Sequence, residues 1–219
     1  MQANNHPIYN PSLDYSVYLS QPFFFVLFQV LILLITVYTV GIEIKFRTAN
    51  DWLTTAKGNI VTAVLGKLLP YTIIYILGWL ANYVMFGILH IPFQGSWWLM
   101  NIMTVLFIIA TQALGLFLFS LFPAISLVIS VVSMVGSLGA TLSGVTFPVP
   151  NMYPLVRDAS YLFPVRHFTE MMQTMLYGGG GFIHLWPSAV ILCIFPLLAL
   201  LLLPHLKRAI ESHKYENIK

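Results

Sequence analysis

Charged residues are scarce in this chain. Only 8% of its 219 residues are Asp, Glu, Lys or Arg, whereas 58% are apolar and the mean hydropathy is +0.84. A soluble domain carries about 25% charged residues, so this chain has too few to solvate a surface. That excludes an ordinary soluble enzyme, a disordered protein and a coiled coil. The sequence therefore predicts an integral membrane protein.

Several kinds of site are also missing. The single cysteine, Cys193, lies in an apolar run, which excludes a disulfide framework and a Cys-rich metal site. The six histidines are scattered without an HExxH spacing, so we expect no metal site. Gly66-Lys67 is not a P-loop, because Val61 stands where the first glycine belongs and Leu68 follows the lysine. No bound cofactor and no nucleic-acid partner are predicted, and any ATP must be handled by another chain.

Five segments are long and apolar enough to be membrane helices, each about 20 residues. The predicted fold is all-α, with five transmembrane helices. The expected spans are 22–40, 68–89, 98–122, 124–147 and 185–203 within a membrane domain of residues 22–206.

The positive residues indicate an orientation. Eight of the ten lie either between the first two spans or after the fifth, and positive residues mark the cytoplasmic side. The tail 207–219 is therefore expected in the cytoplasm and the polar segment 1–21 outside. That segment has no apolar stretch typical of a signal peptide, and an outside N-terminus without one is uncommon, so the expectation is that an earlier span of a longer protein precedes it. The alternative is a native chain whose N-terminus reaches the outside unaided. The eight residues are Lys45, Arg47, Lys57, Lys67, Lys207, Arg208, Lys214 and Lys219.

The polar stretch after the first span predicts a short amphipathic helix at about 48–57. Thr48-Ala49-Asn50-Asp51 has the form of a capping box, and Leu53, Ala56 and Ile60 recur at helical spacing. Gly58-Asn59 is expected to end or bend this helix. The pattern leaves two interpretations open: an interfacial helix that connects two spans, or a docking helix for a cytoplasmic partner.

The segment 148–183 is too polar and too rich in proline to span a membrane. Two short helices are expected within it, at 152–163 and 165–177. Arg166 and Glu170 are spaced for a same-face pair, which favours a paired interfacial charge. The sharper hypothesis is that Arg166 attracts an anionic head group.

The fourth span is rich in serine and glycine. Small residues let membrane helices approach closely, which favours helix packing or a subunit interface, with pore lining as the alternative. Polar side chains within the other spans are expected to bond neighbouring helices. These are Gln29, Asn82, Asn101 and Gln112.

Two separated stretches carry a resemblance to a known family. The first comprises Gly41-Ile42-Glu43, the run 48–56 and Gly66-Lys67-Leu68-Leu69-Pro70; the second comprises Leu142-Ser143-Gly144, the run 147–154, the run 160–164 and His167-Phe168. In this order, with the expected spans between them, they resemble the permease subunits of type-2 ATP-binding-cassette (ABC) exporters. The chain departs from the family in having Lys57 where proline is frequent and Asp51 where glutamate is common.

The resemblance implies a function and its partners. It implies a plasma (inner) membrane subunit that moves a drug-like, lipid or polysaccharide cargo outward. A separate ABC ATPase, in two copies, would bind ATP and Mg²⁺, and a second permease subunit would complete a homodimer or heterodimer in the lipid bilayer.

The resemblance also assigns residues. The helix at 48–57 would be the coupling helix that fits a groove of the ATPase, and 148–183 would be a re-entrant hairpin at the outer leaflet. The coupling residues implied are Glu43, Thr48, Asp51, Trp52, Leu53, Thr55, Ala56 and Lys57. The residues implied at the translocation path or outer gate are Ser137, Ser143, Phe147, Pro148, Met152, Arg166 and Glu170.

Two rival functions are weighed against the exporter. An intramembrane serine protease could use Ser143 with His167, although Ser143 lacks the Gly-x-Ser arrangement of a nucleophile turn. A membrane scaffold that transports nothing is the second rival, and it would not need a coupling segment.

Overall fold

The computed structural model describes residues 15–88, 91, 93–177 and 181–212, except the side chains of 15–18, 85 and 177. The described part contains α-helices, one 3₁₀ turn at Val149–Asn151 and no strand. The predicted features at 1–14, 89, 178–180 and 213–219 lie outside the described residues. The helices are α1 Tyr15–Lys45, α2 Ala49–Thr55, α3 Ile60–Ile88, α4 Trp97–Leu121, α5 Ile125–Leu142, α6 Pro154–Ser160, α7 Pro164–Tyr177 and α8 Phe182–Glu211.

Five of these helices, namely α1, α3, α4, α5 and α8, are long and apolar enough to cross a membrane. The all-α membrane fold with five spans is thereby confirmed. Three helices extend beyond the apolar segments: α1 begins at Tyr15, α3 begins at Ile60 and α8 continues to Glu211. Apolar runs mark only the hydrocarbon layer, and a helix continues past it wherever its backbone hydrogen bonds and packing allow. In contrast, α5 ends at Leu142, before the predicted residue 147.

The helix α4 lies at the centre of the bundle and contacts α1, α3, α5, α7 and α8. Its buried side chains occur all around the helix, from Met100 to Ser120. A helix that is apolar on every face is one that other helices surround.

The helices α1 and α5 approach closely at two glycines. A Cβ atom at Gly136 would lie 2.9 Å from Cγ2 of Val30, and one at Gly139 would lie 2.6 Å from Nε2 of Gln29. A side chain at either position would force its neighbour, Val30 or Gln29, to move. The packing role predicted for small residues in this span is therefore confirmed for α1 and α5.

The bundle has two distinct ends. The segment with α2 joins the last residue of α1 to the first of α3, and a three-residue connection joins α4 to α5. His205 of α8 bonds the carbonyl of Ser120 at 2.7 Å, which brings the end of α8 to the same side. We call this side the α2 end, and the opposite side, which carries α6 and α7, the α7 end.

The helix α7 is inserted into the bundle. It contacts α1, α4, α5 and α8, and its buried side chains include Phe168 and Met172. The ring of Phe168 lies 4.3 Å from that of Phe25 and 4.7 Å from that of Phe107, measured between centroids. The backbone N–H of Val165 donates to Oε1 of Gln29 at 2.8 Å. The helix α7 therefore packs among the membrane helices at one end of the bundle, which is consistent with the expected re-entrant segment.

The four polar side chains expected to bond neighbouring helices do so, as predicted, since hydrocarbon offers them no other partner. Besides Gln29, Asn82 Nδ2 donates to Gln21 Oε1 at 2.8 Å, Asn101 Oδ1 accepts from Trp79 Nε1 at 2.7 Å, and Gln112 Oε1 accepts from Thr72 Oγ1 at 2.8 Å.

Candidate functional site

The short helix α2 presents two different faces. Ala49 and Leu53, four residues apart, are buried against the bundle. Asp51, Thr54 and Thr55 are exposed, and both threonine hydroxyls donate to the carbonyl of Asp51, at 2.9 and 2.8 Å. One face therefore fixes α2 to the protein, and the other is free to meet a partner.

Three residues tie α2 to α1 and α3. The ammonium group of Lys67 in α3 bonds the carboxylate of Glu43 in the last turn of α1. The same ammonium group lies 5.2 Å from the centroid of the Trp52 ring, within range of a cation–π interaction. The indole N–H of Trp52 donates to the carbonyl of Ala63 at 3.2 Å. The helix α2 is thus in direct contact with α3, and Lys67 links it to the last turn of α1.

The capping-box prediction is wrong in its bonding. The helix α2 does begin directly after Thr48, but the Thr48 side chain makes no capping bond. Its hydroxyl instead donates backward to the Glu43 carboxylate. Thr48 has φ −93° and ψ 0°, not the extended conformation in which an N-cap side chain usually accepts from the N–H groups of the first turn. The predicted apolar stripe also divides, since Ala56 caps the end of α2 whereas Ile60 begins α3.

The turn between α2 and α3 explains why position 57 is not a proline. Lys57 has φ +54° and Gly58 has φ +73°, both in the left-handed region. Proline is locked near φ −65°, so it cannot adopt this conformation. Asn59 then starts α3, because its side-chain oxygen accepts from the backbone N–H of Val61 at 2.9 Å and of Thr62 at 3.3 Å.

The residues of α3 that lie beside α2, among them Gly66 and Lys67, were not among the coupling residues predicted from the sequence. A cleft of about 440 Å³ separates the two helices, and Lys67 and Gly66 line it. Lys67 is 24 residues from Glu43, so no local spacing connects them. In the sequence, only the family motif that begins at Gly66 indicated that Lys67 belongs to this region. The full lining is Trp52, Thr55, Ala56, Thr62, Ala63, Gly66 and Lys67.

At the α7 end, four of the residues expected at the translocation path line a single cleft of about 550 Å³, namely Ser143, Pro148, Arg166 and Glu170. Three others do not line it. Ser137 lies on the exposed face of α5, Phe147 is exposed beside the cleft, and Met152 is buried.

Arg166 is the most buried charged residue of this cleft. Its Nη1 lies 3.2 Å from Oε2 of Glu170, which confirms the predicted pair four residues apart. Ser188 of α8 also donates to that oxygen at 3.2 Å. The Arg166 side chain is 7% exposed and the Glu170 side chain 50%, and the buried Nε of Arg166 has no hydrogen-bond partner.

Ser143 and His167 are not arranged for catalysis. The Ser143 hydroxyl donates to the carbonyl of Ala140 at 2.8 Å, and Nε2 of His167 bonds the carbonyl of Tyr161 at 2.9 Å. Burial, together with the adjacent positive charge of Arg166, lowers the pKa of His167. A protease needs the serine hydroxyl to donate to its base, so the geometry disfavours the protease hypothesis.

The exposed face of α5 carries a stripe of hydroxyl groups. Each donates to a carbonyl of its own helix, three or four residues earlier, so its hydrogen is satisfied without a neighbouring helix. The residues are Ser130, Ser133, Ser137 and Thr141.

Comparisons with known proteins agree with one another. The sequence profile described as ABC-2 family transporter protein matches residues 1–203. The inner membrane transport permease YhhJ of Escherichia coli K12 is 30% identical over 105 residues, which cover 47% of this chain and 27% of YhhJ. The probable multidrug ABC transporter permease YbhS of the same organism is 28% identical over 124 residues, covering 53% and 31%.

The aligned part of the chain spans less than one third of the length of these relatives. No solved structure matches the chain significantly. The family profile nevertheless covers the five membrane helices almost completely, up to Leu203 in α8. The chain therefore belongs to the ABC-2 transporter family, as a type-2 ABC permease subunit that crosses the membrane several times.

Proposed function

We propose that this chain is the membrane-spanning subunit of an ATP-driven exporter and that α2 is its docking element for a separate ABC ATPase. The observation that carries the proposal is the division of α2 into a buried face and an exposed face. Ala49 and Leu53 anchor it, while Asp51 and Thr55 point away from the bundle. An interfacial connector would not need the contacts of Lys67 with both Glu43 and Trp52.

The coupling mechanism follows from these contacts. The partner ATPase would bind ATP and Mg²⁺, and its closure would move the exposed face of α2. Because Trp52 contacts α3 and Leu53 packs into the bundle, α1 and α3 move with it. The permease would alternate between two conformations, a closed one and an open one. ATP shifts the equilibrium toward the conformation in which the ATPase binds ATP more tightly.

The α2 end is proposed to face the cytoplasm, since Lys45, Arg47, Lys57, Lys67 and Lys207 lie there. The name of YhhJ, an inner membrane transport permease, supports an inner membrane location, and that of YbhS supports a multidrug cargo. We extend this to an amphipathic, drug-like, lipid or polysaccharide cargo.

A second permease subunit is proposed to pair with this one through the exposed face of α5. The hydroxyls of Ser133 and Ser137 on that face suit a path for a cargo with polar groups. Sidedness, pairing and cargo are separate parts of the proposal, and each can fail alone.

The experiment uses the full-length protein, purified from detergent-solubilised membranes of cells that produce it together with their ABC ATPases. Asp51→Lys reverses a charge on the exposed face of α2 without touching the Glu43–Lys67 pair. Asp158→Lys makes the same change at the α7 end, where the Asp158 side chain is 72% exposed, and serves as the matched control.

We expect an ABC ATPase, identified by mass spectrometry, to co-purify with the native chain and the control but to be lost with Asp51→Lys. Equal retention in all three proteins would disprove docking through α2. If no ATPase co-purifies with the native full-length protein, the result contradicts the exporter proposal and favours a membrane scaffold that transports nothing.

A further inference from the structure

The cleft at the α7 end contains more positive than negative charge. Two guanidinium groups line it, from Arg157 in α6 and Arg166 in α7, against one lining carboxylate, that of Glu170. Pro148, Gln173 and Thr174 are among its other lining residues, so the wall is mixed polar and apolar. Its volume of about 550 Å³ is within the range of small-molecule sites.

The guanidinium of Arg166 is only partly satisfied. Glu170 occupies Nη1 at 3.2 Å, while the Tyr161 ring lies 5.9 Å from the guanidinium carbon. The Nε–H group is buried and has no partner. A buried donor without an acceptor costs about 1–3 kcal/mol, so a turn of the Arg166 side chain that brings its Nε–H to an acceptor in the cleft would recover that cost.

Arg157 supplies the second cation, and its own partner is weak. Its Nε lies 3.9 Å from the carboxylate of Asp158, and the two side chains are 45% and 72% exposed. An exposed pair at that distance contributes little. Arg157 can therefore turn toward a ligand in the cleft without losing a strong interaction.

We propose that this cleft binds a phosphate group, held between Arg157 and Arg166. Guanidinium groups bind phosphate oxygens through paired hydrogen bonds, and a tetrahedral phosphate can accept from two arginines at once. A carboxylate of this chain already satisfies Nη1 of Arg166, so the ligand needs to serve the remaining donors only. Ser143 and Gly144, which line the cleft, directly follow the last residue of α5, and the end of a membrane helix is where lipid head groups are expected. The phosphate belongs either to a phospholipid head group or to a free phosphate compound.

This site is at the opposite end of the bundle from α2, and it does not depend on the docking proposal. A binding measurement that involves no ATPase can therefore fail or succeed independently of it.

The test counts lipids bound to the purified full-length chain by native mass spectrometry. The probes are phosphatidylglycerol, which carries a phosphate, and a galactosyl diacylglycerol, which does not. A parallel arm adds inorganic phosphate as a competitor, which separates the two sources: a lipid site keeps its lipid, whereas a site for free phosphate exchanges it. Both results, retention of the lipid and its exchange for inorganic phosphate, presuppose that the cleft binds a phosphate group, as we propose.

Arg157→Gln is the principal variant, because its side chain is half exposed and its loss leaves the fold intact. We expect phosphate-dependent binding to weaken about tenfold, the loss of one charge-assisted hydrogen bond. Arg166→Gln is expected to weaken it at least as much. Arg208→Gln, an exposed arginine at the α2 end, is the matched control and should bind as the native chain does.

Two results would overturn the proposal. One is equal binding of the phosphate-free galactolipid, which would show that the acyl chains alone are recognised. The other is an unchanged affinity in Arg157→Gln, or the same loss in Arg208→Gln. Should Arg166→Gln fail to fold, Arg157→Gln alone decides the question.

Discussion

The ammonium group of Lys67 lies 5.2 Å from the centroid of the Trp52 ring, which places a cation from α3 directly on the helix α2. Its second contact, with the Glu43 carboxylate, is made by side chains only 18% and 20% exposed. Partial burial strengthens both interactions relative to those on an open surface. Lys67 thus joins α1, α2 and α3 at one point. Because Glu43 and Lys67 are 24 residues apart in the sequence, their contact is a tertiary one.

Replacement of Lys67 by methionine should loosen α2 while preserving the apolar stem of the side chain. It removes an ion pair and a cation–π contact, and we expect the protein to lose about 1–2 kcal/mol. Amide hydrogen exchange within 49–55 should accelerate more than exchange in α4. The charge swap Glu43→Lys with Lys67→Glu restores the ion pair and should recover part of the loss, and exchange rates that stay native in Lys67→Met would contradict this account.

Gln29 should be essential for the position of α7. Its side-chain oxygen accepts from the Val165 N–H at 2.8 Å, in the first turn of α7, where a helix has no acceptor of its own. Gln29→Leu leaves a buried N–H unsatisfied, so we expect a loss of about 1–3 kcal/mol.

The comparison variant for Gln29 is Asn101→Leu, which breaks the bond to Trp79 in another part of the bundle. Both variants should lower the melting temperature, but only Gln29→Leu should raise hydrogen exchange in 165–177. The role of Gln29 is refuted by an unchanged exchange rate in that segment.

Composition and polarity were enough to predict the five membrane helices and to predict that Gln29 and Asn82 bond neighbouring helices. A hydrocarbon layer allows few alternatives, since it demands apolar helices and leaves a polar side chain only another helix to bond. The interactions of Thr48 and Lys67 could not be predicted in the same way. Both depend on where Glu43 lies after the chain has folded. The burial of α7 was equally hidden, because its sequence contains Arg166, His167 and Glu170 and reads as a surface helix.

The glycines of α5 and α3 should respond oppositely to alanine. At Gly136 a Cβ would lie 2.9 Å from Cγ2 of Val30, whose branched side chain is stiff, so Gly136→Ala should push α1 and α5 apart at a cost of about 1–3 kcal/mol. At Gly87 a Cβ would meet no heavy atom within 4 Å outside its own stretch of helix, and alanine there should stabilise α3 by about 0.5–1 kcal/mol. Melting temperatures in detergent measure both effects, and a Gly136→Ala protein as stable as the native one would show that the helices can separate freely.

Stability should fall in mild acid because of His167. Its Nε2 bonds Tyr161, its Nδ1 is buried without a partner, and burial with the nearby Arg166 charge lowers its pKa below the ordinary value of 6.5. Below about pH 6.5 the imidazole of His167 is protonated in the unfolded chain but not in the folded chain. The free energy of unfolding is therefore unaffected above about pH 6.5 and decreases below it. One such group contributes at most about 1.4 kcal/mol per pH unit.

His167→Gln retains a donor for the Tyr161 carbonyl but cannot be protonated. The measurement is the melting temperature at pH 7.5 and pH 5.5, for the native chain and for this variant. The native protein should lose more stability between the two values than the variant does. His184→Gln is the control, since His184 is an exposed histidine at the start of α8. If the native chain and His167→Gln lose stability equally, the acid sensitivity comes from other groups and the buried neutral imidazole is not its cause.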